Sequence, residues 1–361
     1  MVTESVPALS IGWAAGMLTA WLQRHPRRRL GVFPVVLTTL GADVFVRPWS
    51  AGWASAVPSA LAAALLAYGL TALATAHGLP RPQVAAGLTA VSLVHLVPLP
   101  EAAPTWGFAA VAGLTAGAAA LSWWLYARDV LELALELLLW PVYRFVVTGP
   151  GLGRVPLSGP LLVYANHTAY TDPFWVAKVI PRRLIPMMTS VFYDKPIIRW
   201  LMAKVVHAIR IEASSCRREA PELRQGIEVL DRGGALLIFP EGWLRRVPEP
   251  VVRRFGRGIW HILRERPQTP IVACWIEGGW GSYLSYFKGP PGKNKRLDWW
   301  RPIAIAVGEP FCLSADILQD HRLTRTVLME RCVLLRRELG LEAGRMPLET
   351  ATVEAEEERD A

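Results

Sequence analysis

The first 130 residues are nearly all apolar, and that run limits what the chain can become. Five stretches in it are candidate membrane spans: Val6 to Leu22, Leu30 to Val46, Trp53 to Ala76, Gln83 to Val97, and Thr105 to Ala127. A span needs about 20 apolar residues, and the third and fifth meet that most clearly. The second contains Asp43 and the fourth is short, so both read equally as re-entrant or bundle-packed segments. The first lacks a basic start and its basic residues follow it, so it reads as an uncleaved segment. A mean hydropathy of +0.27 agrees with a membrane protein, as do 52% hydrophobic residues and 16 Trp.

Charge gives an orientation. Arg24, Arg27, Arg28 and Arg29 follow the first stretch and place that loop in the cytoplasm. Arg81 and Arg128 also fall inside on this count, and the Glu101 loop falls outside; Arg47 alone is on the wrong side. The expected topology puts the second half of the chain in the cytoplasm. Asp43 and His77 read as span-end residues rather than a transport path. The net charge is +9. Residues 1–150 hold eight Arg and six acidic residues, and the remainder holds 31 basic and 24 acidic. A basic domain beside a membrane suits anionic headgroups. No basic-aromatic module supports nucleic acid as the partner. Cys216, Cys274, Cys312 and Cys332 show neither metal spacing nor a paired pattern, so they read as reduced thiols.

From Val142 to Leu339 the pattern changes to alternating strands and helices, which argues an α/β domain with a largely parallel sheet. Asp129 to Trp140 reads as an interfacial helix ended by Pro141, and Val142 to Val147 as a strand. Leu161 to Ala165 is an apolar strand that runs into Asn166 and His167, with Asp172-Pro173 beyond. A five-residue separation is wrong for one helix face, and the proline disfavours helical geometry at Asp172. The two side chains therefore fall on a curling loop, with Pro173 opening the next helix. A His bonded to a carboxylate has a fixed tautomer and a stabilised imidazolium, as a general base requires. The same residues also read as an ordinary loop histidine and a helix N-cap. Downstream, Ala235 to Phe239 is a second strand candidate that enters Pro240-Glu241-Gly242.

The blocks NHTAYTD and FPEG resemble, in this order, the N-H-x-x-x-x-D and F-P-E-G blocks of the glycerophospholipid acyltransferase family. The resemblance covers roughly Tyr143 to Pro310. Trp243-Leu244-Arg245-Arg246 and Gly278-Gly279-Trp280-Gly281-Ser282 are closer to the branch fused to membrane transporter domains. The resemblance implies a glycerophosphate-acyltransferase-like α/β fold behind an all-α transmembrane bundle. It divides the chain into a multi-span region (1–130), an acyltransferase domain (131–340) and an acidic, disordered tail (341–361). His167 and Asp172 become the catalytic pair. Asn166, Glu241, Gly242, Arg245, Arg246 and Arg210 become substrate-binding candidates. The family's second-block Arg position holds Ala213; nearby Arg210 reads equally as its replacement in phosphate contact and as a surface strand residue, and Arg217 and Arg218 read as solvated helix residues.

The activity so implied is O-acyl transfer from acyl-CoA or acyl carrier protein to the free hydroxyl of a lysophospholipid or 1-acylglycerol-3-phosphate. No cofactor or metal is expected, and the partners are membrane lipids and the acyl donor. No G-x-S-x-G nucleophile occurs. Two alternatives stand beside it: a thioesterase or lipid hydrolase using the same dyad, and a non-catalytic lipid carrier or flippase. The expected location is a bacterial-type inner membrane with the catalytic domain cytoplasmic.

Overall fold

The computed structural model describes residue 38 and residues 105–139, 142–212, 221–293, 295–342 and 346. Apart from residue 38, the first four candidate spans lie outside the described residues, as do Ala213, Cys216, Arg217, Arg218 and residues 347–361 of the acidic tail. The chain divides into two compact units, Met1–Leu138 and Leu139–Ala361.

In the first unit the described element is α1 (Thr105–Leu139). The fifth candidate span and the expected interfacial helix are one continuous helix, since no Pro or Gly separates Ala127 from Asp129 to break it. Among the described residues no helix is long and apolar enough to cross a membrane.

The second unit is a seven-stranded sheet with helices on both faces. Its strands are β1 (Tyr143–Thr148), β2 (Leu161–Ala165), β3 (Leu184–Thr189), β4 (Ile209–Ile211), β5 (Ala235–Ile238), β6 (Ile271–Glu277) and β7 (Arg301–Val307). Their order is β1-β7-β6-β2-β5-β3-β4. All pairs are parallel except β6 with β7.

β2 is central and every residue in it is buried, as a strand covered on both faces must be. Its side chains alternate between two cores. Leu162 and Tyr164 pack with Ile259, Ile262 and Leu263 of α6 (Gly258–Glu265) and with Leu328 and Met329 of α8 (His321–Leu334). α8 follows the short α7 (Ala315–Gln319). Leu161, Val163 and Ala165 pack with Trp175 and Val176 of α2 (Asp172–Val179). α5 (Pro221–Asp231) precedes β5.

The apolar segment 197–208 does not form one continuous α-helix. It forms α4 (Pro196–Leu201) and a π-helical turn (Met202–Val206), with His207 at φ 58° ending the run. A short α3 (Ser190–Tyr193) precedes it.

Candidate active site

The site forms where β2 and β5, adjacent and parallel, release their carboxyl-terminal loops side by side. Such a crevice is where open α/β sheets bind ligands. His167 and Asp172 meet as the spacing predicts: His167 Nδ1 lies 3.0 Å from Asp172 Oδ2. The Asp172 carboxylate is completely buried in the first turn of α2. It also accepts the backbone N–H groups of Thr168 (2.5 Å) and Ala169 (2.8 Å) and stands 3.3 Å from the Thr168 hydroxyl. A carboxylate saturated by donors stays an acceptor. His167 Nδ1 therefore carries the proton it donates, and Nε2 presents a lone pair. Phe239 fixes the other face of the ring, stacked at 4.2 Å and 25°.

Glu241 has a different place from the substrate contact expected of it. Its side chain is buried. Oε1 accepts the His167 backbone N–H at 2.7 Å and Oε2 that of Arg253 at 2.8 Å. The residue thus ties the histidine loop to the segment after β5. Burial pushes the carboxyl up to about 8, while the Arg253 and His167 N–H groups pull it down. The stability consequence has a definite sign. Between the ordinary Glu value and 8 the unfolded chain has released this proton and the folded chain keeps it, so stability falls as pH rises. Glu241→Gln removes that slope. Its Tm relative to the parent should therefore rise by at least about 3 °C between pH 5 and pH 8 in a thermal-melt series; a constant offset would refute the shift.

Asn166 also departs from the expected substrate contact. It is completely buried, donates to the Ile276 carbonyl at 2.9 Å and accepts the Ile276 N–H at 2.7 Å. It extends the pairing of β2 with β6 by one rung and so sets where His167 leaves the sheet. Gly242 takes φ 71° in the turn closed by its N–H to the Phe239 carbonyl at 3.0 Å, a conformation that favours glycine.

The two adjacent arginines named as substrate-binding candidates separate sharply. Arg245 is buried, donates to the carbonyls of Val247 (2.9 Å) and Pro248, and stacks on Trp280. Its backbone N–H bonds the His167 carbonyl at 2.8 Å. Those contacts make Arg245 a loop anchor. Arg246 is exposed, with its guanidinium 4.9 Å from the Tyr286 ring and 5.8 Å from Trp243. Tyr286 in turn meets Tyr170 hydroxyl to hydroxyl at 3.3 Å, and Tyr170 lies between His167 and Asp172. Arg210 is not brought to this cluster. It sits on edge strand β4, three strand positions from β2, roughly 14 Å across the sheet. Its Nε and Nη2 donate to Asp194 at 2.8 and 2.6 Å, and its Nη1 donates to Glu212 at 3.2 Å.

Sequence reasoning missed the supports of the dyad. Ala169 bridges Ser285, and Tyr170 N–H bonds the Leu284 carbonyl at 3.2 Å, so the loop after β6 clamps the histidine loop. A Cβ on Gly279 would fall 2.2 Å from the Thr168 hydroxyl and 3.2 Å from Asp172 Oδ1, so only glycine allows that approach. Arg301 holds the clamp through the carbonyls of Gly278 (2.7 Å) and Trp280 (2.9 Å). The paired glycines of 278–279 were the available signal. Among the described residues no three His, Cys, Asp or Glu side chains converge as metal ligands.

Residues 146–277 match the acyltransferase family model, and that span holds both the dyad and Glu241. The matched span lies within the second unit. The chain is similar to a 1-acyl-sn-glycerol-3-phosphate acyltransferase of Pseudomonas aeruginosa, 26% identical over 163 residues. That match covers 43% of this chain and 62% of the relative, so the chain spans about three fifths of its relative's length. A crystal structure of the 1-acyl-sn-glycerophosphate acyltransferase of Thermotoga maritima aligns with a TM-score of 0.44 at 18% identity, over 60% of this chain and 82% of that one.

Proposed function

We propose that this protein moves a fatty acyl group from a thioester to the free hydroxyl of a lysophospholipid or 1-acylglycerol-3-phosphate. The observation that carries the proposal is the locked imidazole: Nδ1 committed to buried Asp172, Nε2 open, and a cationic Arg246 on the aromatic ring next to the same loop. The acceptor hydroxyl gives its proton to His167 Nε2 as its oxygen attacks the thioester carbonyl. The tetrahedral intermediate collapses by breaking the C–S bond, and the leaving thiolate takes the proton back from the imidazolium. Asp172 stabilises that imidazolium. The N–H groups of His167, Thr168, Ala169 and Arg245 already bond protein acceptors, so the oxyanion draws on other donors. The acyl donor is acyl-CoA or acyl carrier protein, and the site works in membrane phospholipid synthesis or repair. The apolar first half anchors the chain in the membrane with the dyad on the cytoplasmic side.

Arg246 is the phosphate ligand in this reading, and a guanidinium suits phosphate oxygens through its planar fork. Charge-assisted hydrogen bonds contribute roughly 1.5–3 kcal/mol. Arg246→Ala should therefore raise the acceptor KM about ten- to a hundredfold and leave the donor KM in place, and Arg246→Lys should restore part of the loss. Titrating acceptor and donor separately tests this. An unchanged acceptor KM in Arg246→Ala would move the phosphate elsewhere and favour an acceptor without one.

A further inference from the structure

Residues 190–206, which run through α3, α4 and the π-helical turn, break the usual relation between apolarity and burial. Eleven of the seventeen are hydrophobic, counting Ala and Tyr. None is buried. Val191 is 57% exposed, Trp200 62% and Ile197 83%. Soluble surfaces scatter such side chains singly; a contiguous group marks something that covers it.

The polar side chains of the segment say what covers it. Lys195, Arg199 and Lys204 are exposed among the apolar ones. The single acid, Asp194, is bound by Arg210, and three cations against one acid leave the segment net positive. Residues 1–104 of this chain carry six Arg and three acidic residues, the wrong sign to complement the patch. A second copy would set like charges against each other. Lys and Arg interleaved with Trp and Ile fit a bilayer interface, where stems lie in the apolar layer and cationic heads meet anionic headgroups. The segment also borders the site: the Phe192 ring packs at 4.6 Å on Tyr170, inside the histidine loop.

We propose that residues 190–206 dock the acyltransferase domain onto an anionic bilayer surface, with Ile197 and Trp200 entering the headgroup–acyl boundary. Their purpose, delivering a lipid acceptor to His167, rests on the acyl-transfer reading; the docking itself needs no turnover. Full-length protein is reconstituted in phosphatidylglycerol–phosphatidylcholine vesicles that contain bromine-labelled lipid. An environment-sensitive fluorophore is placed on Ile197→Cys in a Cys216→Ser/Cys312→Ser background. The reference is native Cys312 labelled in Cys216→Ser. Cys312 lies against Gln268 before β6, at the end of the sheet away from His167.

Quenching by bromolipid should be at least roughly twofold stronger at 197 than at 312, as an interfacial position requires. It should fall in Lys195→Gln/Arg199→Gln/Lys204→Gln protein and be unchanged in a His167→Ala background, so loss of docking and loss of catalysis read out separately. A probe on Trp200→Cys repeats the measurement if the first variant misfolds. Quenching at 197 and 200 no stronger than at 312 would overturn the proposal. So would probes shielded from aqueous iodide yet untouched by bromolipid, since protein would then be the cover.

Discussion

His167→Ala should lose acyl transfer by about 100- to 10,000-fold, the usual contribution of a positioned general base. The imidazole has one hydrogen bond, to Asp172, and a stacking contact with Phe239. Its removal leaves the Glu241 tie intact, because that bond is to the His167 backbone. The variant should therefore keep its fold and its substrate binding, and lose kcat rather than KM. Turnover by purified, folded His167→Ala protein, measured with a labelled acyl donor, decides it. Near-normal turnover would end the dyad proposal.

Asp172→Ala should do more damage, because Asp172 serves fold and chemistry together. Its carboxylate is the acceptor for the Thr168 and Ala169 N–H groups in a completely buried position. Each buried donor left unsatisfied costs about 1–3 kcal/mol, so two of them imply a loss of roughly 2–6 kcal/mol. The same change frees the His167 ring to reorient, and activity should fall at least as far as in His167→Ala. Asp172→Asn keeps the shape but turns an N–H₂ toward donors or toward the ring, so it should recover part of the stability and little of the rate. A denaturation midpoint alongside a kcat for each variant separates the two losses. Asp172→Ala as stable as the parent would contradict the loop-organising role.

The contrast between these two residues shows where sequence reading stops. The spacing of His167 and Asp172, with Pro173 behind, was enough to place them on one loop, because local sterics decide that. Glu241 was visible as part of FPEG, but its bond to the His167 backbone spans 74 positions and depends on β2 and β5 becoming neighbours. Asn166 is a substrate-binding candidate only through the family resemblance; in place it mimics a strand backbone against Ile276. Arg245 and Arg246 were indistinguishable as neighbours in sequence, and only the path of the loop buries one and exposes the other. Strand β3 was hidden by Pro186, which interrupts its pattern yet is tolerated between β5 and the short edge strand β4. Residues 197–206 have the apolarity of a core helix, and nothing local reveals that the fold leaves none of them buried.

The role proposed for the locked His167 is that of general base for acyl transfer from a thioester to an acceptor hydroxyl. It is tested most directly by incubating full-length protein in vesicles with a labelled acyl thioester, with and without 1-acylglycerol-3-phosphate. The labelled lipid products and free fatty acid are then separated, for the parent and for His167→Ala. The prediction is a labelled diacyl product that depends on the acceptor and on His167, with little fatty acid released when the acceptor is absent. Rapid fatty acid release without acceptor, or a diacyl product that persists in His167→Ala, would contradict it.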